Sequence, residues 1–158
     1  MLLRYVKISL ALSVALWGVI SGTMNLVYYS LYPISTVMTV EGQDSLRAIS
    51  SPIMFTLGFA FIYLGKYAVG ILAALGTLKL WAARKNPVTF NGAKSRILAG
   101  CGVGIATFFF GFFVMADGVF DAGPPSEFSI KYLSHAAYYI GAIGMVALFI
   151  AVPDSDTE

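Results

Sequence analysis

The sequence predicts an all-α membrane protein, a single four-transmembrane-helix bundle over residues 1–158, and three observations lead there. Hydrophobic residues make up 58% of the chain and charged residues only 11%, where soluble domains carry about a quarter charged residues. Apolar runs recur at about 6–28, 53–83, 97–116 and 132–152, each able to supply the roughly 20 residues that cross a bilayer. The charges collect between these runs, and their placement predicts that both termini are cytoplasmic. The net charge of +2 is too small to suggest nucleic acid as a partner, and with Cys101 alone no disulfide framework exists within the chain.

Arg4 and Lys7 precede the first run, Ile8 to Val27. That run exceeds the 7–15 apolar residues of a signal core and no small-residue cleavage pattern follows it, so it reads as a retained span. On a helical period, Ala11, Ala15, Gly18, Gly22 and Asn25 share one face while Leu10, Leu12, Leu16 and Val19 point elsewhere. Such a stripe admits close approach by another helix. Tyr28, Tyr29 and Tyr32 mark a membrane interface, and Pro33 ends the helix.

The connection from about 30 to 51 is the longest polar segment, and Ser51 followed by Pro52 opens the second span as N-cap and first helical residue. That span is interrupted once, by Lys66, and closes on Lys79, Trp81, Arg84 and Lys85. Phe59, Tyr63, Lys66, Gly70, Ala73 and Thr77 form its smaller, more polar face, opposite Phe61, Leu64, Ala68, Ile71 and Leu75. The following turn adds Lys94 and Arg96. Five positive residues without an acidic one place this loop in the cytoplasm, in agreement with Arg4 and Lys7.

In the third span Gly100, Gly104, Thr107 and Gly111 share a face, and a phenylalanine band (Phe108–110, Phe112, Phe113) fills the outer half. The band reads as lipid-facing, with a protein contact or the wall of a quinone or lipid groove as alternatives. Asp117, Asp121 and Glu127 make an acidic outer loop. The fourth span carries Ala137, Gly141 and Gly144 for helix packing, and Pro153 ends it before a short acidic tail judged too short to fold.

Ionisable residues inside a membrane are functional candidates. Counting back about 20 residues from Lys79 and Trp81 puts Lys66 roughly 10 Å below the outer surface. Its face, which includes Tyr63, directs it into the bundle toward the outer ends of the third and fourth spans, where Asp117, Asp121, Tyr138 and His135 are at hand, and a Lys66–Asp117 pair is expected. This reads as a structural ion pair or polar cluster; a transport or proton-handling role is the alternative. His135 is the only histidine, so neither a zinc site nor bis-histidine haem ligation can be built within the chain. With no serine-histidine-acid set, phosphate loop or paired carboxylates, no catalytic, cofactor or metal residue is assigned and the chain is not expected to be an enzyme.

One resemblance stands beside this reading. Asn25, Arg47-Ala48-Ile49-x-x-Pro52, Lys79-Leu80-Trp81, Phe90-Asn91-x-Ala93-Lys94, Gly111-Phe112 and Pro153-Asp154, in that order, are similar to the bacterial family of predicted small integral membrane proteins of unknown function. The resemblance implies four transmembrane helices in a bacterial inner membrane and no established activity. Two functions follow as expectations. One is an accessory subunit of a larger complex, of the electron-transport (respiratory or photosynthetic) kind, contacting lipid, other membrane subunits and a quinone or lipid. The other is a small transporter or channel component using a polar path around Lys66, Asp117 and His135.

Overall fold

The computed structural model describes residues 1–31, 52–119 and 127–155. Among them the chain is helical, without strands: α1 (Leu2–Leu31), α2 (Pro52–Ala83), α3 (Pro87–Ala93), α4 (Ser95–Phe108, continuing as π-helical turns over Phe109–Val119) and α5 (Glu127–Ala151). Four stretches are long and apolar enough to cross a membrane: Leu2–Tyr28, Thr56–Ala83, Pro87–Val114 and Leu133–Ala151. The expected N-cap Ser51 and the Arg47-Ala48-Ile49 motif lie outside the described residues.

Helix ends follow local chemistry. Asn86 caps α3 by accepting from the Val88 and Thr89 amides at 2.9 and 3.2 Å, with Pro87 at the first helical position, where no amide hydrogen is needed. The segment expected as a plain turn is therefore a seven-residue helix. α5 stops at Ala151, two residues before Pro153, whose ring forbids continuation.

α1 packs along α2, α2 along α4, and α4 along α5. In lipid the apolar effect gives no reward for pairing helices, so contact rests on close packing, and glycines set the approach. A Cβ at Gly18 would lie 2.5 Å from the Gly70 amide nitrogen, and one at Gly70 would lie 2.7 Å from that of Val19, so the α1 and α2 backbones touch at this crossing. Gly22 lies against Tyr67 and Lys66. Gly76 meets the Ile97 backbone, Gly100 meets Ala73 and Leu72, Gly104 meets Val69 and Ile143, and Gly111 meets Ile62. The two faces of α2 separate as the sequence divides them: Lys66, Gly70, Ala73 and Thr77 are buried, and Phe61, Leu64, Ile71 and Leu75 are exposed.

α5 departs from expectation. Among the described residues nothing lies within 4 Å of a Cβ at Gly141 or Gly144, and Ala137 is exposed, so these small residues do not pack the bundle. Ala136, Ile143 and Ile150, seven residues apart, carry the buried face instead.

The phenylalanine band also divides. Phe108 is buried, while Phe109 and Phe110 face outward. From Phe109 the helix widens to π-helical turns, which bring side chains four apart nearly above one another. Phe108 stacks on Phe112 at 15° and Phe109 on Phe113 at 26°, both with centroids 5.8 Å apart.

Replacing Gly18 with Val forces a side chain into the α2 backbone. Overpacking of this kind costs about 1–3 kcal/mol, so Gly18→Val lowers the midpoint of thermal unfolding in detergent, whereas Gly141→Ala leaves it unchanged.

Candidate functional site

The polar residues converge at the end of the bundle where α1 begins and α5 stops. Lys7, one turn into α1, is fully buried and donates to the Val152 carbonyl at 2.6 Å and to Asp154 Oδ2 at 2.8 Å. Lys94, between α3 and α4, donates to the same two acceptors, each at 2.6 Å, and to Asn91 Oδ1 at 2.7 Å. Asn91 completes the socket. Its side-chain amide pairs with the Asp154 backbone, Nδ2 donating to the carbonyl at 2.9 Å and Oδ1 accepting from the amide at 3.0 Å. Arg4 spans the periphery, donating to the carbonyls of Arg84 at 3.2 Å and Ser155 at 3.0 Å.

Charge explains the arrangement. α5 ends in carbonyls that lack amide partners, and two ammonium groups supply donors to one of them. Lys7 and Asp154 side chains are both 0% exposed, and Lys94 is 5% exposed, so water cannot screen the cations and a carboxylate must. Burial alone raises the Asp154 carboxyl; hydrogen bonds from Lys7 and Lys94, and their charges, outweigh it and hold the group below its ordinary value. Oδ1 of Asp154 is buried without a hydrogen-bond partner among the described residues, so Oδ2 alone meets both lysines.

Lys66 sits elsewhere, on the inner face of α2 against α1, with Nζ 5.8 Å from the Phe108 ring centroid, within cation–π range. Phe108 also meets Trp17 at 5.7 Å and Tyr139 at 5.2 Å, and Trp17 meets Tyr139 at 5.2 Å. Lys66 thus faces an aromatic cluster drawn from α1, α4 and α5. The side chain of Asp117, its expected partner, lies outside the described residues. His135 and Tyr138 are exposed on α5 and Tyr63 is half-buried, and no hydrogen bond or ion pair joins any of them to Lys66 among the described residues. Among the described residues the expected grouping of Lys66, Asp117, His135 and Tyr63 is therefore not seen, its carboxylate lying outside them. No group of three or more metal-ligating side chains occurs among the described residues.

A family model, "Predicted small integral membrane protein (DUF2165)", matches residues 3–122. The chain belongs to this family. No curated protein and no solved structure matches it. The family match includes Lys7, Asn91, Lys94 and Lys66 and ends before α5, so Asp154 lies beyond the matched span.

In the sequence Arg4, Lys7 and Lys94 read only as orienting charges and Asp154 as part of a tail too short to fold; the structure joins them. The available signal was the pair of motifs Phe90-Asn91-x-Ala93-Lys94 and Pro153-Asp154, whose polar members form the socket.

Removing the carboxylate leaves two buried cations uncompensated, and Asp154→Ala is expected to cost about 3–5 kcal/mol, seen as a lower unfolding midpoint in detergent. Since the folded carboxyl titrates below the unfolded value, about 3.9, its contribution is full above about pH 4. It is lost as pH falls through the lower, folded value. Wild type therefore destabilises on acidification in that window, and Asp154→Asn, less stable at neutral pH, shows a flatter profile there.

Proposed function

We propose that this chain is a non-catalytic accessory subunit of a larger bacterial inner-membrane complex, with both termini on the cytoplasmic face. The observation that carries this reading is the outward face of α5. The stripe glycines of the other three spans meet neighbouring helices within the chain, whereas Ala137, Gly141 and Ala142 are exposed. They are flanked by Tyr138, Met145 and Leu148, which are 71, 73 and 74% exposed. Small residues bordered by large ones suit close approach by a further transmembrane helix. Orientation rests on Arg4, Lys7, Lys79, Arg84, Lys85, Lys94 and Arg96, which the positive-inside rule assigns to the cytoplasm.

The narrower reading is an electron-transport assembly. It is supported by the outward rings of Phe109 and Phe110, an aromatic wall suited to a quinone or lipid tail. The transporter alternative, a polar path around Lys66, Asp117 and His135, gains no specific support, because Lys66 is closed in by Phe108 and His135 points outward.

Extraction in mild detergent followed by mass spectrometry tests the proposal. Wild type is expected to bring down one or more other membrane proteins; Gly141→Ile loses them while its own unfolding midpoint is unchanged, since a Cβ there meets nothing among the described residues. Recovery of a lone monomer or a homo-oligomer from wild type counts against the accessory role. A partner without a haem, flavin or iron–sulfur absorbance removes the electron-transport part alone.

A further inference from the structure

We infer that a groove at the charged end of the bundle holds the phosphodiester headgroup of an anionic phospholipid from the leaflet on that side. The groove, about 390 Å³, lies between the α3–α4 junction and the end of α5. Asn91, Lys94 and Ser95 form its polar part, and Leu98, Ala151 and Pro153 its apolar part. It straddles the membrane boundary, since the apolar stretch of α5 ends at Ala151 and Lys94, Ser95 and Arg96 precede the unbroken apolar run that opens at Ile97 of α4. A ligand that fits must change from polar to apolar at the same depth, as a phospholipid does.

Charge selects the headgroup. Among the described residues, Lys94 in the groove lining, Lys7 on the same Asp154 and Arg4 on the Ser155 carbonyl outnumber that carboxylate three to one. The sequence at this end holds the seven cations named above against Asp154, Asp156 and Glu158. The Val152 carbonyl, which would repel an anion, is already occupied by both lysines. Lys94 spends its three donors on Asn91, Val152 and Asp154, so it supplies a fixed field. The exposed Ser95 hydroxyl, in the groove lining, is left to contact a phosphate, and Arg96, the next residue and also exposed, adds a surface charge beside it. No side chain caps α4, and its positive end adds to the same field. Basic pockets between helices at a membrane surface take anionic headgroups for these reasons.

Native mass spectrometry of the full chain in detergent tests the inference, with titration by dioleoylphosphatidylglycerol, by dioleoylphosphatidylcholine and by inorganic phosphate. The first is retained; the other two are not. A Cβ at Gly92, on α3 in the groove lining, meets nothing within 4 Å among the described residues, so Gly92→Glu adds a carboxylate with little structural cost. It abolishes retention while the isosteric Gly92→Gln preserves it. Arg96→Gln weakens retention about fivefold, one surface cation's worth. Equal retention of the two lipids overturns the proposal, as does unchanged retention in Gly92→Glu at an unchanged unfolding midpoint. Phosphate binding as well as the lipid would show a free-anion site instead and overturn the lipid assignment.

Discussion

Asp154 is one carboxylate facing two buried ammonium groups, and the closure of the bundle depends on that balance. Lys7 comes from the first helix, Lys94 from the hairpin between the second and third spans, and Asp154 from the residues after the fourth. Elsewhere the helices pair in sequence order. α5 meets α1 through the Trp17–Tyr139 ring contact and at this cluster. It is also the least embedded span, with 17% of its apolar window buried against 33% for the third. Packing is therefore weakest where the ion pairs act, and the charges do for α5 what glycine crossings do for α1 and α2. In lipid, where association gains nothing from expelling water, a polar anchor of this sort carries a larger share of the work.

Lys66 shows a different resolution of the same problem. An intramembrane cation needs a partner, and among the described groups its neighbour is the face of Phe108, itself held by Trp17 and Tyr139. The aromatic cluster gives the lysine an electronegative surface and fills the gap between α1 and α5 with rings. One set of side chains thereby serves packing and electrostatics at once.

Much of this was legible in the sequence. The four spans and the buried faces of α1, α2 and α4 followed from helical periodicity, because small residues recurring every three or four positions have a direct meaning in a membrane. The socket was not legible, because periodicity acts within one helix and the socket joins positions 7, 91, 94 and 154. Charge counting treated each lysine as a topological marker, which hides its contacts. The π-helical turns after Phe108 leave no periodic trace either, since a run of bulky apolar residues reads alike in both helix types. On α5 the small residues read, like those of the other spans, as packing positions, but the side that packs within the chain is the one bearing Ala136, Ile143 and Ile150.

The socket and that outward face are connected. Val152 and Asp154 are held by two lysines and an asparagine from three directions, which fixes the rotation of the helix ending at Ala151. With Ile150 and Ile143 turned inward by that anchor, Gly141 and Ala137, roughly one turn apart on another side, must face out. A helix held only by apolar contacts in lipid could roll at little cost and bury its glycines against α4. The ion pairs oppose that roll, so the charged end of the molecule determines which surface α5 offers to the membrane.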